Sequence, residues 1–335
     1  MSNDITVSII CKTFNHEKFI RQCLEGFVNQ KTNFNFEAIV HDDASVDRTA
    51  AIVMEYEQKY PDIIKPIYEQ ENQYSKKGRI NQIIYPKITG KYIAFCEGDD
   101  YWTNINKLQL QVDALEKHED CVACFHKVTY VDIEGRPTGR TVPTGELRGG
   151  ILSQDEFMQH NFYPEKIRSF PWQLSCLLVR KEIWQEFIIN PPAFQRYFDV
   201  GDQPLFFHIG TKGPVYYIED SMSNYRRSGN NHSWLGRTES NKTLLVKHIE
   251  TQMNALREVD KATGYRYHQY ALKGIDNHYF QKYRALGDIK SMRSGNMREL
   301  FNSLPRISQF YFICYPITSK MKYIKDRLIR RQKQD

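Results

Sequence analysis

No stretch of this 335-residue chain approaches the ~20 consecutive apolar residues that span a bilayer, which excludes an integral helical membrane protein. The opening residues, Met1-Ser2-Asn3-Asp4, hold no basic segment leading into an apolar one, so no secretory signal is expected. Neither glycine signature for phosphate binding occurs: Gly-x-Gly-x-x-Gly and Gly-x-x-x-x-Gly-Lys-Ser/Thr are both absent. The usual glycine-loop nucleotide sites are therefore excluded. Cysteine is scarce and odd in number: Cys11, Cys23, Cys96, Cys121, Cys124, Cys176 and Cys314 follow no framework spacing. Most lie in apolar, strand-like runs, where a reduced thiol behaves as a small hydrophobe, and a reducing cytoplasm is expected. Cys121 and Cys124, three apart in a predicted strand, should point to opposite faces, a poor geometry for a shared metal.

Excess charge is missing from most of the chain. The net +6 is carried entirely by residues 301–335, where eight Lys or Arg face two Asp; the preceding residues are neutral. The basic character belongs to a tail, and no nucleic-acid partner is expected. Hydrophobic residues make up 41% and charged residues 26%, enough for a sizeable core, and the length allows about two domains.

Two hydrophobic periods alternate through the first hundred residues. Val7-Ser8-Ile9-Ile10-Cys11 reads as a buried strand, and Ile20, Cys23, Leu24, Phe27 and Val28 follow with helical spacing. Phe36–Val40 predicts a second strand ending in His41-Asp42-Asp43, and a helix should run from about Asp47 to Tyr60. A third strand is expected near 63–68, then a helix from about Arg79 to Lys87. A fourth strand, Tyr92–Cys96, ends in Glu97-Gly98-Asp99-Asp100. Repeated β–α units predict an α/β fold with a mostly parallel sheet covered by helices on both faces. Strand-like runs continue at Cys121–Val131, Leu174–Arg180 and Val215–Ile218, and the pattern turns helical from about Leu235. The boundary is set near there.

In such sheets ligands bind at the carboxyl ends of the strands. Polar clusters occur at those ends: Thr13-Phe14-Asn15, Asp42-Asp43 and Asp99-Asp100. Carboxylates in place of glycines suggest a diphosphate held through magnesium or manganese, which takes one or two protein carboxylates plus phosphate oxygens. Asp99 and Asp100 can equally be turn or capping residues before Tyr101-Trp102; Asp42-Asp43 nearby tips the balance to metal. Trp102 and Trp172 invite comparison with sugar-stacking aromatics, although large aromatics near strand ends commonly belong to the core.

The assembled pattern resembles the family 2 glycosyltransferases of GT-A fold, bacterial surface-polysaccharide type. The matching pieces are Val7-Ser8-Ile9-Ile10 leading to Thr13-Phe14-Asn15, then Asp42–Thr49, then Glu97–Trp102 with Lys107-Leu108-Gln109. Gly201-Asp202-Gln203-Pro204-Leu205 and Tyr225-Arg226 follow, so the resemblance covers about residues 5–235. It implies a Rossmann-like, mixed and mainly parallel sheet flanked by helices. Residues 1–235 would form the catalytic domain and 236–335 a helical C-terminal region with the basic tail. The implied activity is an inverting, metal-dependent transfer from a nucleoside-diphosphate sugar, a UDP-sugar first, to a saccharide or polyprenyl-linked glycan acceptor. Capsule or lipopolysaccharide synthesis is the implied setting.

By the same resemblance, Thr13, Phe14, Asn15, Asp43, Arg79 and Asp99 would hold the nucleotide sugar. Phe14 would pack on the base and Asp43 would accept from a uracil-type imide. Asp100, with Asp99, would bind Mn2+ or Mg2+, and Asp202 would be the general base. A helix N-cap is the plain alternative for Asp202, and the two roles are compatible. Ser45 or Asp47 should cap the second helix. Relatives often carry a histidine where this chain has Ser228, so either His232 joins the metal site or Arg226 and Arg227 neutralise the diphosphate. The aromatic run Phe310–Tyr315 beside the basic tail has the composition of a peripheral anchor to the inner membrane leaflet, and equally that of a packed helix with a solvated end. A sugar-1-phosphate nucleotidyltransferase would need a glycine-rich loop where Lys12-Thr13-Phe14-Asn15-His16 stands. A non-catalytic nucleotide- or glycan-binding scaffold is the remaining alternative.

Overall fold

The structure, a computed structural model, describes residues 4–74, 76, 79–144, 147–162, 171–227, 241–302, 306 and 309. His232, the aromatic run and the basic tail lie outside the described residues.

The first apolar run forms strand β1 (Ile5–Thr13), and the helical spacing after it forms α1 (Ile20–Val28), which buries Ile20, Cys23, Leu24 and Phe27. Then come β2 (Asn35–Asp42), α2 (Thr49–Lys59), β3 (Ile64–Tyr68), α3 (Arg79–Ile84) and β4 (Tyr92–Phe95). These four strands are parallel, in the order β3-β2-β1-β4.

The second half of the sheet is mixed. It begins with β5 (Tyr101–Trp102), α4 (Lys107–Lys117), β6 (Ala123–Val131), β7 (Pro137–Val142), β8 (Gly150–Leu152) and α5 (Gln154–Phe162). Next come β9 (Leu178–Arg180), α6 (Lys181–Ile189), α7 (Gln203–Lys212) and β10 (Val215–Arg226). The run expected at 174–180 divides into a short 3-10 turn and β9, which pairs antiparallel to both β4 and β6. The strand expected at 215–218 extends to Arg226, because it lies parallel to β6 along its length.

Alternation along β1 feeds two core layers. Val7, Ile9 and Cys11 pack with α1, α2 and α4 on one face. Ile10 packs on the other with Phe95, Trp184 of α6, and Leu205, Phe206 and Ile209 of α7. Trp102 and Trp172 are both buried; Trp102 Nε1 donates to the Ser175 carbonyl at 3.2 Å and Trp172 Nε1 to Asn161 Oδ1 at 2.8 Å. They are core residues. Cys121 and Cys124 both join the first layer, contrary to the opposite-face expectation, because Cys121 precedes the start of β6.

Beyond residue 241 come α8 (Lys242–Ala262) and α9 (His268–Leu286). Met253, Leu256 and Ile275 from these helices share a core with Met158, Phe162, Phe198 and Phe207. Gly274 allows the closest approach: a Cβ there would sit 2.2 Å from the Phe162 carbonyl oxygen. No described helix is long and apolar enough to cross a membrane.

Candidate functional site

Because β1, β2 and β4 are parallel, their carboxyl tips meet at one end of the sheet, and the polar clusters meet with them. At the β1 tip Thr13 is buried and Phe14 is 42% exposed. Asn15 takes a left-handed φ of 54°, which asparagine tolerates better than most residues. Its Oδ1 accepts from Val46 N–H at 2.9 Å, and its N–H donates to Ser45 Oγ at 2.9 Å. Ser45 in turn donates to Asp42. Asn15, Ser45 and Asp42 thus lock two loops together. Arg48 occupies the N-cap of α2, and Asp47 Oδ1, one residue before it, accepts from Thr49 N–H at 2.9 Å.

Asp43 is buried and reaches across to the chain before α3. It accepts from Gln73 N–H at 2.6 Å, Tyr74 N–H at 3.0 Å and Asn72 Nδ2 at 2.9 Å. Among the described residues Oδ1 has one donor, which leaves it a lone pair for a further N–H. Arg79 is exposed at the first turn of α3, while Lys76 is paired with Glu71.

After β4 the chain turns sharply, with Asp100 N–H donating to the Glu97 carbonyl at 2.9 Å and Gly98 N–H to the Lys12 carbonyl at 2.9 Å. A Cβ on Gly98 would meet Thr13 Oγ1 at 2.5 Å and Thr13 Cβ at 2.7 Å. The obstacle includes a fixed atom, so the turn itself must move. Gly98→Ala is therefore expected to lower the melting temperature, at a cost of about 1–3 kcal/mol, and to weaken nucleotide-dependent thermal stabilisation. Denaturant unfolding and thermal shift check the two effects separately.

Arg226, the last residue of β10, fastens this turn. Its N–H donates to Asp100 Oδ1 at 2.9 Å and its Nε to the Asp99 carbonyl at 3.0 Å. The remaining guanidinium nitrogens reach the Ile133 carbonyl at 2.9 Å and Gln22 Oε1 at 2.8 Å. The guanidinium also lies over the rings of Phe19 and Tyr101, at 4.7 and 5.3 Å from their centroids. Arg226, weighed with Arg227 as the alternative to His232 for neutralising a diphosphate, thus has its guanidinium nitrogens engaged by protein. It is a buried brace for Asp99 and Asp100.

The charges at this end are crowded. Burial, then Asp99, pushes the Asp100 carboxyl well above the usual carboxylate range. Glu97 opens to solvent, yet the surrounding protein pushes it up to about 7; Asp99 adds to this, Lys12 opposes it, and Asp202 adds again. Asp202 caps α7, its Oδ1 accepting from Gln203 N–H at 2.8 Å, and burial raises its carboxyl above the ordinary value. The preceding loop is tied to α8, where His248 Nδ1 lies 2.7 Å from Asp199 Oδ2 and Gln252 Nε2 donates to Asp199 Oδ1 at 3.1 Å.

The family described as Glycosyl transferase family 2 matches residues 8–177, from β1 to the residue before β9. The chain belongs to that family. An uncharacterized protein of Mycobacterium tuberculosis is 37% identical over 156 residues, 47% of this chain and 44% of that protein, so the match spans under half of the relative. A Bacillus subtilis protein provisionally named as a teichuronic acid biosynthesis glycosyltransferase is 26% identical over 228 residues, 68% of this chain and 81% of its own. Among solved structures, Staphylococcus aureus TarS 1–349 with UDP-GlcNAc superimposes with a TM-score of 0.53 at 17% identity, covering 85% of this chain and 80% of that one. A Pyrobaculum calidifontis mannosyltransferase with GDP-Man and Mn2+ gives 0.51 at 16% identity, covering 96% and 88%. These structural likenesses establish the fold.

Within this family 2 chain, no group of three or more His, Cys, Asp or Glu converges to hold a cation among the described residues. The donor set still fits a hard divalent ion. Asp99 and Asp100 adjoin, and among the described residues the Asp100 carboxylate has one hydrogen-bond donor, Arg226 N–H. Magnesium or manganese would find two carboxylates there and complete its shell with phosphate oxygens and water. Sequence reasoning passed over Lys12, Gln22 and Asp199. The signal for Lys12 was present, a cation two residues beyond Ile10 on the same face of a buried strand.

Proposed function

We propose that this protein is an inverting, metal-dependent glycosyltransferase. It moves a sugar from a nucleoside-diphosphate donor, a UDP-sugar first, to a saccharide or polyprenyl-linked glycan of a bacterial surface polysaccharide. The supporting observation is the convergence of Phe14, Asp43, Asp99 and Asp100 at three adjacent strand tips, with Asp202 at the head of α7. The UDP-GlcNAc bound to TarS and the teichuronic acid role given to the B. subtilis relative support the donor and the pathway class. Residues 1–235 act as the catalytic domain and 236–335 as a helical region whose basic tail meets the inner leaflet.

In this reading Phe14 stacks on the base and Asp43 accepts its imide N–H, while Thr13, Asn15 and Arg79 border the nucleotide. Asp99 and Asp100, with His232 as a further candidate, would hold Mn2+ or Mg2+, which would supply Lewis-acid stabilisation of the departing diphosphate. Asp202 takes the proton from the acceptor hydroxyl as its oxygen bonds to the anomeric carbon. The bond from that carbon to the diphosphate breaks, its electron pair leaves with the nucleotide, and the centre inverts. An α-linked donor gives a β-linked product.

Thermal shift with UDP-, GDP-, CMP- and dTDP-sugars, each with and without Mn2+, tests the scheme. Stabilisation by one nucleotide class, dependent on metal, is expected; at a hundred times its Kd the ligand adds about 2.7 kcal/mol. Equal stabilisation without metal overturns the metal reading. Binding that never releases nucleoside diphosphate, with any acceptor glycan, marks a scaffold instead.

A further inference from the structure

β6 offers its two edges to different strands along its length. β10 follows one edge from Ala123 to Val131, while β9 holds the other only at Ala123 and Cys124. From Val128 onward β7 takes the place of β9 on that edge, with Val142 opposite Val128 and Thr141 opposite Thr129. Because β9 joins β6 to β4, β7 stands on the side toward β4, at the carboxyl end of β6. Tyr130 belongs to the core layer of Phe95 and Leu205, so it shares a sheet face with α7, whose head carries Asp202.

Arg140 of β7 lies over the Tyr130 ring, its guanidinium carbon 4.3 Å from the centroid. The ring itself is held firmly. Tyr225, the register partner on β10, packs at 5.0 Å between centroids, and Gln173 Nε2 donates to the Tyr130 hydroxyl at 2.8 Å. One residue past Tyr225, Arg226 N–H bonds Asp100, which ties this platform to the Asp99-Asp100 turn. Arg140 is half-buried, yet among the described residues it makes no ion pair and no side-chain hydrogen bond. Asp132 and Glu134, the carboxylates of the turn between β6 and β7, are both taken by Arg136 at 2.7 Å. The Tyr130 ring answers the charge of Arg140 but leaves its N–H fork, which matches a carboxylate or a phosphate, without an acceptor. Partial burial of such a cation costs free energy unless an anion meets it.

We propose that Arg140, carried on Tyr130, forms a subsite for an oxyanion of the acceptor, a phosphate or a carboxylate. Assigning the anion to the acceptor rests on the glycosyltransferase reading. In that reading the nucleotide lies over β1 and β2, and β4 and β9 separate these strands from β6 and Arg140.

The test is calorimetric binding to protein saturated with UDP and Mg2+, using two pairs of acceptor probes. Undecyl-phospho-GlcNAc is set against undecyl β-GlcNAc, and trigalacturonate against its methyl ester. Wild type is expected to bind the charged member of one pair about tenfold more tightly than its neutral partner, and the pair that responds tells phosphate from carboxylate. Arg140→Met should erase that preference while the neutral probe and UDP bind as before. Arg140→Lys should restore only part of it, since a point charge lacks the fork. With whichever probe accepts sugar, Arg140→Met should raise the acceptor KM about tenfold, with a smaller change in kcat. Arg140→Gln replaces the methionine variant if that does not fold. Equal binding of charged and neutral probes by wild type, or a preference that survives Arg140→Met, overturns the proposal. So does a loss of UDP affinity in place of the acceptor preference, which would put Arg140 on the donor. An Arg140-dependent preference in a protein that releases no nucleoside diphosphate from any donor keeps the anion subsite and overturns the glycosyltransferase reading alone.

Discussion

Asp202→Asn is expected to reduce nucleoside-diphosphate release about 10²–10⁴-fold while stability and donor affinity stay near wild type. The separation follows from what Asp202 does structurally. Its Oδ1 accepts from Gln203 N–H at 2.8 Å at the head of α7, and Pro204 follows where a missing N–H costs nothing. Asparagine is as good a cap as aspartate and keeps an oxygen for that bond, so the helix start survives. What disappears is the ability to receive a proton. Asp202→Ala removes cap and base together and should also cost about 1 kcal/mol of stability. Since burial raises the Asp202 carboxyl, kcat/KM should climb with pH through a midpoint above that of an ordinary aspartate, as the proton is lost. Steady-state rates across pH, alongside thermal shift with UDP and Mn2+, check both halves. Wild-type turnover in the Asn variant sinks the assignment.

Much of this arrangement could be read before any coordinates. The 2-and-3.6 periodicities of residues 5–100 placed β1 to β4 and the helices between them, because β1, β2 and β4 are buried on both faces and α1 and α2 each bury one apolar stripe. The second half was less legible. β9 has three residues and takes its place from pairing with β4 and β6, a long-range property that no local period records. β10 likewise extends past its apolar start, across a register break at Glu219 and Asp220, and pairs with β6 again from Ser221. Among the candidate site residues, residue type and position pointed to Asp99 and Asp100, and the family resemblance to Asp202. The bracing by Arg226 was not legible, because a conspicuous arginine near a phosphate site suggests charge pairing. Only the fold reveals that Gln22, the Ile133 carbonyl and the Asp99 carbonyl claim its donors.

The largest effect with two signs is expected from Asp100→Asn. In metal-free protein it should raise the melting temperature, and it should abolish the stabilisation that UDP gives only with Mn2+. Asp100 is buried, and burial together with Asp99 disfavours its charged form. Its direct partner in the turn is Arg226 N–H on Oδ1, a bond that an asparagine carbonyl oxygen can keep. The substitution therefore removes a poorly compensated buried charge without orphaning the donor. Asp100→Ala does orphan it and should cost about 1–3 kcal/mol, the penalty of an unpaired buried N–H. The sign with pH follows from linkage. A carboxyl whose folded midpoint is raised makes the folded state bind more protons than the unfolded one, so wild-type stability falls as pH rises through that window. Asparagine has no such proton, so its advantage should grow as pH rises from the ordinary aspartate value toward the raised midpoint. In the proposed site a cation would reverse the comparison, since the two adjoining carboxylates would become its ligands. Melting curves in EDTA, then with UDP and Mn2+, read both signs in one preparation. A lower melting temperature in EDTA with an unaltered response to Mn2+ would mean that Asp100 serves the turn alone, and the metal site would have to be sought elsewhere.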